Sequence, residues 1–319
     1  MAAGQSSQNS PGFARDAFQR LRRNRAALAS AIILGALFVA CILVPEFSSF
    51  RYDKTDLALG PTAPSLRHWM GTDYAGRDLL TRVFLGGRIS FAVGIIATVL
   101  SFVIGSLWGG IAGYLGGKTD AWMMRIVDIL YTLPFLVFVI LLMVFFANDK
   151  SFLYGIYKGA LGIFVSSPGD PSYLPLFQIM IVFISLGCIS WLTMARIVRG
   201  QVLSLKVQPF IEAARCLGLS TRAIVFRHLL PNAMGPMIVY AALTIPEVMM
   251  TEACLSFLGL GTQEPLSSLG LLAAQGAETM DLYPYQLFFP ALFLALTLFC
   301  FHFIGDGLRD ALDPRASKH

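Results

Sequence analysis

Six stretches of this chain run about as long as a membrane is thick without one acidic or basic side chain, and that restricts its folds more than any other feature. Twenty uncharged residues separate Arg25 from Glu46, 29 separate Arg88 from Lys118, and 20 separate Asp128 from Asp149. A further 25 lie between Asp170 and Arg196, and 24 between Asp281 and Asp306. The sixth holds 19 residues between Arg227 and Glu247, with His228 counted as neutral, and continues past two carboxylates to about Leu260. A helix of about 20 apolar residues crosses the hydrocarbon core. The expected spans are therefore 26–46, 89–113, 129–147, 174–195, 233–259 and 285–305, the pattern of an all-α polytopic membrane protein.

Composition agrees. Only 13% of the 319 residues are charged, against about 25% in a soluble domain. A large soluble enzyme and a secreted disulfide scaffold are excluded, and the 25 Phe exclude disorder beyond the ends. The spans leave no room for a second soluble domain. The run from Ala26 to Val44 is long for the apolar part of a secretory signal and lacks a small-residue cleavage site after it, so it reads as an anchor that stays. Five cysteines, four of them inside spans, behave as small apolar residues without the spacing of a disulfide or metal set.

An even number of spans puts both termini on one side. With the N-terminus in the cytoplasm, the inside segments 1–25, 114–128, 196–232 and 306–319 hold sixteen of the 24 Lys and Arg, the bias that orients membrane proteins. The first outside loop, 47–88, is the misfit, with six basic residues. Arg77, Arg82 and Arg88 share their segment with Asp73 and Asp78, and local pairing is the expected account.

Several motifs lie within this frame. Gly105, Gly109, Gly113 and Gly117 recur every four residues, a spacing that lets helix backbones approach closely in lipid. Ala112 to Thr119 satisfies a relaxed phosphate-loop pattern. That motif requires a strand before the loop, whereas a membrane helix precedes this one, so ATP binding by this chain is not expected. Glu247 and Glu252 lie within the fifth span beside Pro246, where ionisable groups are costly. They either line or gate a polar passage, or cap the helix near its outer interface. His302 and Asp306, four residues apart on the last span, read as a structural hydrogen bond.

The inside loop 196–232 is the most informative segment. Phe210 to Leu217 is expected to form a short amphipathic helix with Phe210, Ala213, Ala214 and Leu217 as its apolar face, ended by Gly218. A second helix begins at Ser220 or Thr221 and runs to Pro231. Such a compact projection suits docking on another protein; the alternative is a plain connecting loop.

In this loop, Glu212, Ala213, Ala214, Gly218, Leu230 and Pro231 resemble the E-A-A, G and L-P landmarks of the ATPase-coupling loop in ABC importer permeases. His228 replaces the usual Ile, and Arg227 to Asn232 is similar to the peptide-transport branch. Other segments agree with that branch: Gly71-Thr72-Asp73 with Gly76-Arg77-Asp78; Gly116-Gly117 with Asp120 and Met124-Arg125; Leu255 to Gly261; and Gly305 to Pro314. From about Arg15 to Arg315 the chain resembles the C-type permeases of oligopeptide and dipeptide ABC importers. Leu269 departs where many relatives carry an aromatic residue, and the outside stretch 148–173, with an apolar patch from Gly159 to Val165, is longer than in close relatives.

The resemblance implies a type I ABC importer permease fold in the bacterial inner membrane, and no enzymatic chemistry on this chain. It implies a homologous B-type permease, two cytoplasmic ATPase subunits that carry ATP and Mg, and a periplasmic or lipid-anchored substrate-binding protein. Relatives with this architecture also carry nickel chelates or other small solutes, which leaves the cargo open. An intramembrane enzyme would require paired catalytic groups or H-E-x-x-H spacing, and four scattered His supply neither. A secondary transporter would show internal repeats with two broken helices, and only one broken helix is expected, at Pro246. No metal site and no nucleic-acid partner are expected.

Overall fold

The computed structural model describes residues 19–161 and 174–312. Ten helices account for most of them: α1 (Arg25–Phe47), α2 (Leu79–Leu115), α3 (Gly117–Thr132), α4 (Phe135–Phe146), α5 (Phe152–Leu161), α6 (Leu174–Leu205), α7 (Pro209–Cys216), α8 (Thr221–Phe257), α9 (Leu269–Glu278) and α10 (Tyr285–Leu312). Five of these, α1, α2, α6, α8 and α10, are long and apolar enough to cross a membrane, and the α3–α4 pair makes a sixth span if its two halves are taken together.

The helix ends differ from the charge-bounded expectation at several points, each for a local reason. α2 begins at Leu79, ten residues before the expected 89, because Asp78 caps it: the Thr81 N–H donates to Asp78 Oδ2 at 2.9 Å. Arg82 lies within that helix, buried, with its charge met by Asp73. α6 runs ten residues beyond 195, and Arg196 and Arg199 are carried on it as partners of Asp128 and Asp120.

The expected continuous span 129–147 does not exist as one rod. It falls across α3 and α4, which meet at 87°. Pro134 is the reason: it has no N–H for the ladder, and its ring forces Leu133 into the extended region (ψ 132°). The second helix of the 196–232 loop does not stop at Pro231 either. It passes through a π-helical turn at Ile224–Leu229 and continues into the fifth span. The wider turn accommodates the missing proline N–H, and Asn232 Nδ2 donates to the His228 carbonyl at 2.6 Å. α5 falls in the stretch 148–173, while most of the apolar patch from Gly159 to Val165 lies outside the described residues. α9 occupies the 260–284 connection, where no helix was expected.

The glycine repeat sets the central packing. A Cβ on Gly105 would meet Met194 Cβ at 2.6 Å, one on Gly109 the Ala195 carbonyl oxygen at 2.3 Å, and one on Gly113 the Arg199 oxygen at 3.0 Å. The rising order shows that α2 and α6 run parallel in near backbone contact. Gly117 is not part of this face, since α2 ends at Leu115 and Gly116 turns the chain at φ +66°. α8 runs the opposite way along α2, with Gly110 beside Leu230 and Gly94 beside Ile245 and Met249. α10 and α1 complete the bundle through Gly87, which faces Cys41 and Phe293, and Gly307, which faces Ala27. α1 is peripheral, with Ile32 and Val39 exposed on its outer side. One end of the bundle thus carries residues 48–78, 258–268 and α9, and the other carries the α2–α3 turn and α7.

Candidate functional site

Three places combine chemistry with accessible surface. The first is the α7 tip. Pro209 opens α7 at its first turn, where a missing N–H costs nothing. Ile211 and Ala214 are its buried side chains, packed with Val198, Val202, Ile224 and Val225. This alters the expected apolar face: Ala214 points inward, while Phe210, Ala213 and Leu217 face outward, because larger Ile211 takes the inner position. Leu217 is 79% exposed and Phe210 41%. Glu212 is exposed in the first turn. Gly218 ends the helix at φ +74°, with the Leu219 N–H donating to the Ala214 carbonyl at 3.2 Å, a termination that favours glycine. Ser220 starts α8 as its N-cap. Leu230 and Pro231 lie on α8, half-buried, with Leu230 packed on the same cluster as Ile211. The six landmark residues therefore sit on one rigid corner. The base is held by Lys206 Nζ, which donates to the Gly113 carbonyl at 2.8 Å, and by the fork of Arg199 on Asp120 at 2.5 and 2.6 Å.

The second place is a cavity of 690 Å³ where the α3–α4 bend opens against α6 and α8. Phe135, Phe138 and Leu142 line its apolar wall, and Tyr131, Ser190, Thr193, Tyr240, Glu247 and Thr251 supply its polar groups. Tyr131 Oη and Thr193 Oγ1 are hydrogen-bonded to each other. Glu247 is exposed on this wall. Glu252 is not: it is 1% exposed and sits inside the bundle. Ser90 Oγ donates to its Oε2 at 3.1 Å and Ser256 Oγ to its Oε1 at 2.6 Å. Ser268 bonds Ser256 at 3.2 Å, and the Leu269 N–H donates to Ser90 Oγ at 3.2 Å. The two acids thus part company. Glu252 ties α2, α8 and the start of α9 together inside the bundle, because five residues along a helix place it on the opposite side from Glu247.

The third place is the charged cluster at the other end of the bundle. Asp73 Oδ1 accepts from the Ala75 and Arg77 N–H groups at 2.8 and 2.9 Å, while its Oδ2 accepts from Arg77 Nε at 2.7 Å and from Arg82 Nη1. Glu264 Oε1 accepts from Arg77 Nη2 and Gln275 Nε2, both at 2.8 Å, and from Tyr74 at 3.1 Å. The Arg77 hydrogen bond, with Gln275 and the nearby guanidinium charges behind it, lowers the Glu264 carboxyl to about 2. Asp78 pairs with His68 at 2.9 Å, and Arg88 with Glu46 at 3.1 Å. Each of the three basic residues that stood out in the outside loop is therefore paired within the chain. Glu264 and Gln275 escaped the sequence reading. The signal available was that Glu264 is the only charged residue between Glu252 and Glu278.

The phosphate-loop look-alike falls across the end of α2 and the first turn of α3, a helix–turn–helix with no preceding strand. Among the described residues, no group of three His, Cys, Asp or Glu is placed to hold a metal ion.

Comparison with known proteins gives a consistent result. Residues 101–318 match the family described as the binding-protein-dependent transport system inner membrane component, and residues 12–64 match the N-terminal transmembrane domain of oligopeptide transport permease C. The oligopeptide transport system permease protein OppC of Haemophilus influenzae is 47% identical over 94% of this chain and 88% of its own length. The protein of the same name from Escherichia coli is 49% identical, over 94% of this chain and 90% of its own. The dipeptide transport system permease protein DppC of Bacillus subtilis is 40% identical over 96% of this chain and 87% of its own.

Proposed function

The chain belongs to the binding-protein-dependent transport system inner membrane components, and on that premise we propose that it is the C-type permease of an ABC importer for oligopeptides or dipeptides. It forms half of the passage, and a homologous B-type permease forms the other half. The names of its relatives support a peptide cargo. The bundle end bearing α7 faces the cytoplasm, which puts both termini there and agrees with the excess of Lys and Arg on that side. The opposite end, with its charged cluster, faces the periplasmic or lipid-anchored binding protein.

The observation that carries the coupling role is the α7 tip. Its inner face is anchored by Ile211 and Ala214, and its outer face leaves Phe210, Ala213 and Leu217 exposed. Glu212, Ala213, Ala214, Gly218, Leu230 and Pro231 form the corner that docks on one of two ATPase subunits. ATP and Mg bind to those subunits, and this chain contributes no catalytic residue and no cofactor. Closure of the ATPases shifts the two permeases between arrangements open to opposite sides.

The test is Gly218→Asp in the complete transporter reconstituted in proteoliposomes. Nothing lies within 4 Å of a Cβ at Gly218, so the side chain costs only the strain of the left-handed conformation, about 1 kcal/mol, and projects into the docking surface. ATP-driven peptide uptake is expected to vanish while the chain still inserts. Normal uptake would remove the coupling assignment.

A further inference from the structure

The cavity at the α3–α4 bend has one feature that transport alone does not explain. Its polar side chains are hydroxyls, the Cys188 thiol and a single carboxylate. The hydroxyls of Tyr131, Thr132, Ser190, Thr193, Tyr240 and Thr251 are neutral, and Glu247 is the one acid among the lining residues. Arg196 approaches from beneath but is committed: its guanidinium lies 3.9 Å from the Tyr131 ring centroid and bonds Asp128 at 2.7 Å. Glu247 has no ion-pair partner among the described residues, although Arg77, Arg82, Arg88, Arg196 and Arg199 each have one. An unpaired carboxylate at membrane depth is costly, and this one is kept on an open wall rather than satisfied inside the fold.

The geometry points to Glu247 as a recognition site for a primary ammonium group of the transported peptide. This rests on the peptide-importer reading above and specifies what the passage recognises. A carboxylate accepting from an ammonium makes a charge-assisted hydrogen bond, about twice as strong as a neutral one. The surrounding hydroxyls accept or donate along the peptide backbone, and Phe135, Phe138 and Leu142 offer an unspecific apolar wall to its side chains. A volume of 690 Å³ falls within the about 300–1,000 Å³ typical of ligand pockets. Glu247 lies seven residues along α8 from Tyr240, or about 10 Å, on the side toward the charged cluster. An ammonium held there leaves the rest of the peptide extending past Tyr240 toward the α7 end. The site orients its cargo by that ammonium group and, lysine apart, is indifferent to side-chain identity.

The experiment compares uptake of one peptide with a free amino terminus and the same peptide N-acetylated, using the complete transporter and its binding protein. A third peptide, N-acetylated but carrying a lysine, separates terminal from side-chain ammonium as the group recognised. Any preference of the binding protein is shared by wild type and variants, so it cancels when the free-to-acetylated ratio is compared between them. The wild-type ratio is expected to fall about tenfold in Glu247→Gln and to be largely kept in Glu247→Asp. Where Glu247→Gln fails to assemble, Glu247→Lys is read in the same way and should invert the preference. An unchanged ratio in an assembled variant overturns the inference and leaves the importer reading intact. A wild-type complex that imports no peptide at all overturns both.

Discussion

Replacing Gly109 with alanine tests whether the parallel α2–α6 contact is what organises the bundle. In an ordinary helix the change stabilises, since glycine costs about 1 kcal/mol relative to alanine. Here the added carbon would sit 2.3 Å from the Ala195 carbonyl oxygen and 2.9 Å from the Arg199 nitrogen, against an ordinary contact of 3.4–4 Å. Both are backbone atoms, so no side-chain rotation relieves the overlap, and α6 must withdraw by about 1 Å. Overpacking of a closely packed interface costs about 1–3 kcal/mol, and rigid neighbours place this site at the upper end. The net loss is then about 2 kcal/mol, or roughly 4 °C in melting temperature for a chain of this size. Gly200 lies on α6 with nothing within 4 Å of its Cβ, and Gly200→Ala should keep or slightly raise the melting temperature. Thermal unfolding followed by tryptophan fluorescence reads the effect locally, because Trp108 and Trp191 face each other across the same contact with ring centroids 5.2 Å apart. If Gly109→Ala melts with Gly200→Ala, close backbone approach is not what holds these helices, and the reasoning fails.

Two further perturbations probe the opposite end. Glu264 is held at about 2 instead of 4.5, so its ionisation stabilises the fold fully above pH 4.5, and the contribution is lost as pH falls from 4.5 toward 2. Its side chain is 40% exposed, and solvent screening reduces the effect to about 1 kcal/mol; the melting-temperature gap between wild type and Glu264→Gln should narrow between pH 6 and pH 3, and a constant gap would contradict the ion-pair account. Ser90→Ala takes a donor from Glu252 and an acceptor from the Leu269 N–H, which should cost about 2 kcal/mol. Faster proteolysis within residues 258–268 is the expected readout, and wild-type resistance there would show that the buried network is not what fixes α9.

Much of the helical body was legible because lipid imposes a length and a polarity that charge spacing reads directly. The ruler failed where a charge is neutralised inside the structure. By charge alone Arg88 bounds the second span, yet α2 extends back to its Asp78 cap with Arg82 inside it, neutralised by Asp73 nine residues away. It also failed where the backbone, not the charge, breaks a helix: Pro134 sits in a fully apolar run, and hydropathy carries no trace of an 87° bend. Gly218 and Ser220 were readable because helix ends have local chemistry. Glu247 and Glu252 were not separable, since five residues of sequence place one on an open wall and the other among serines, and only the neighbours from α2 and α9 decide which is which. The inner face of α7 is hidden from the sequence for a similar reason: two apolar stripes compete, and the bulk of Ile211 decides between them.

α8 runs unbroken from the Ser220 cap to Phe257, 37 residues, or about 55 Å of helix. Mechanically it is a beam. Its far end is built in by the serine socket around Glu252, and its near end packs on the α7 corner through Ile224 and Val225. Stiffness along it is not uniform, because Pro231, Pro236 and Pro246 each remove a rung of the hydrogen-bond ladder, and bending concentrates at such points. The last of the three adjoins Glu247. On the docking role proposed for α7, a push on that corner would reach the cavity as a change of angle, with no loop between the two to absorb it.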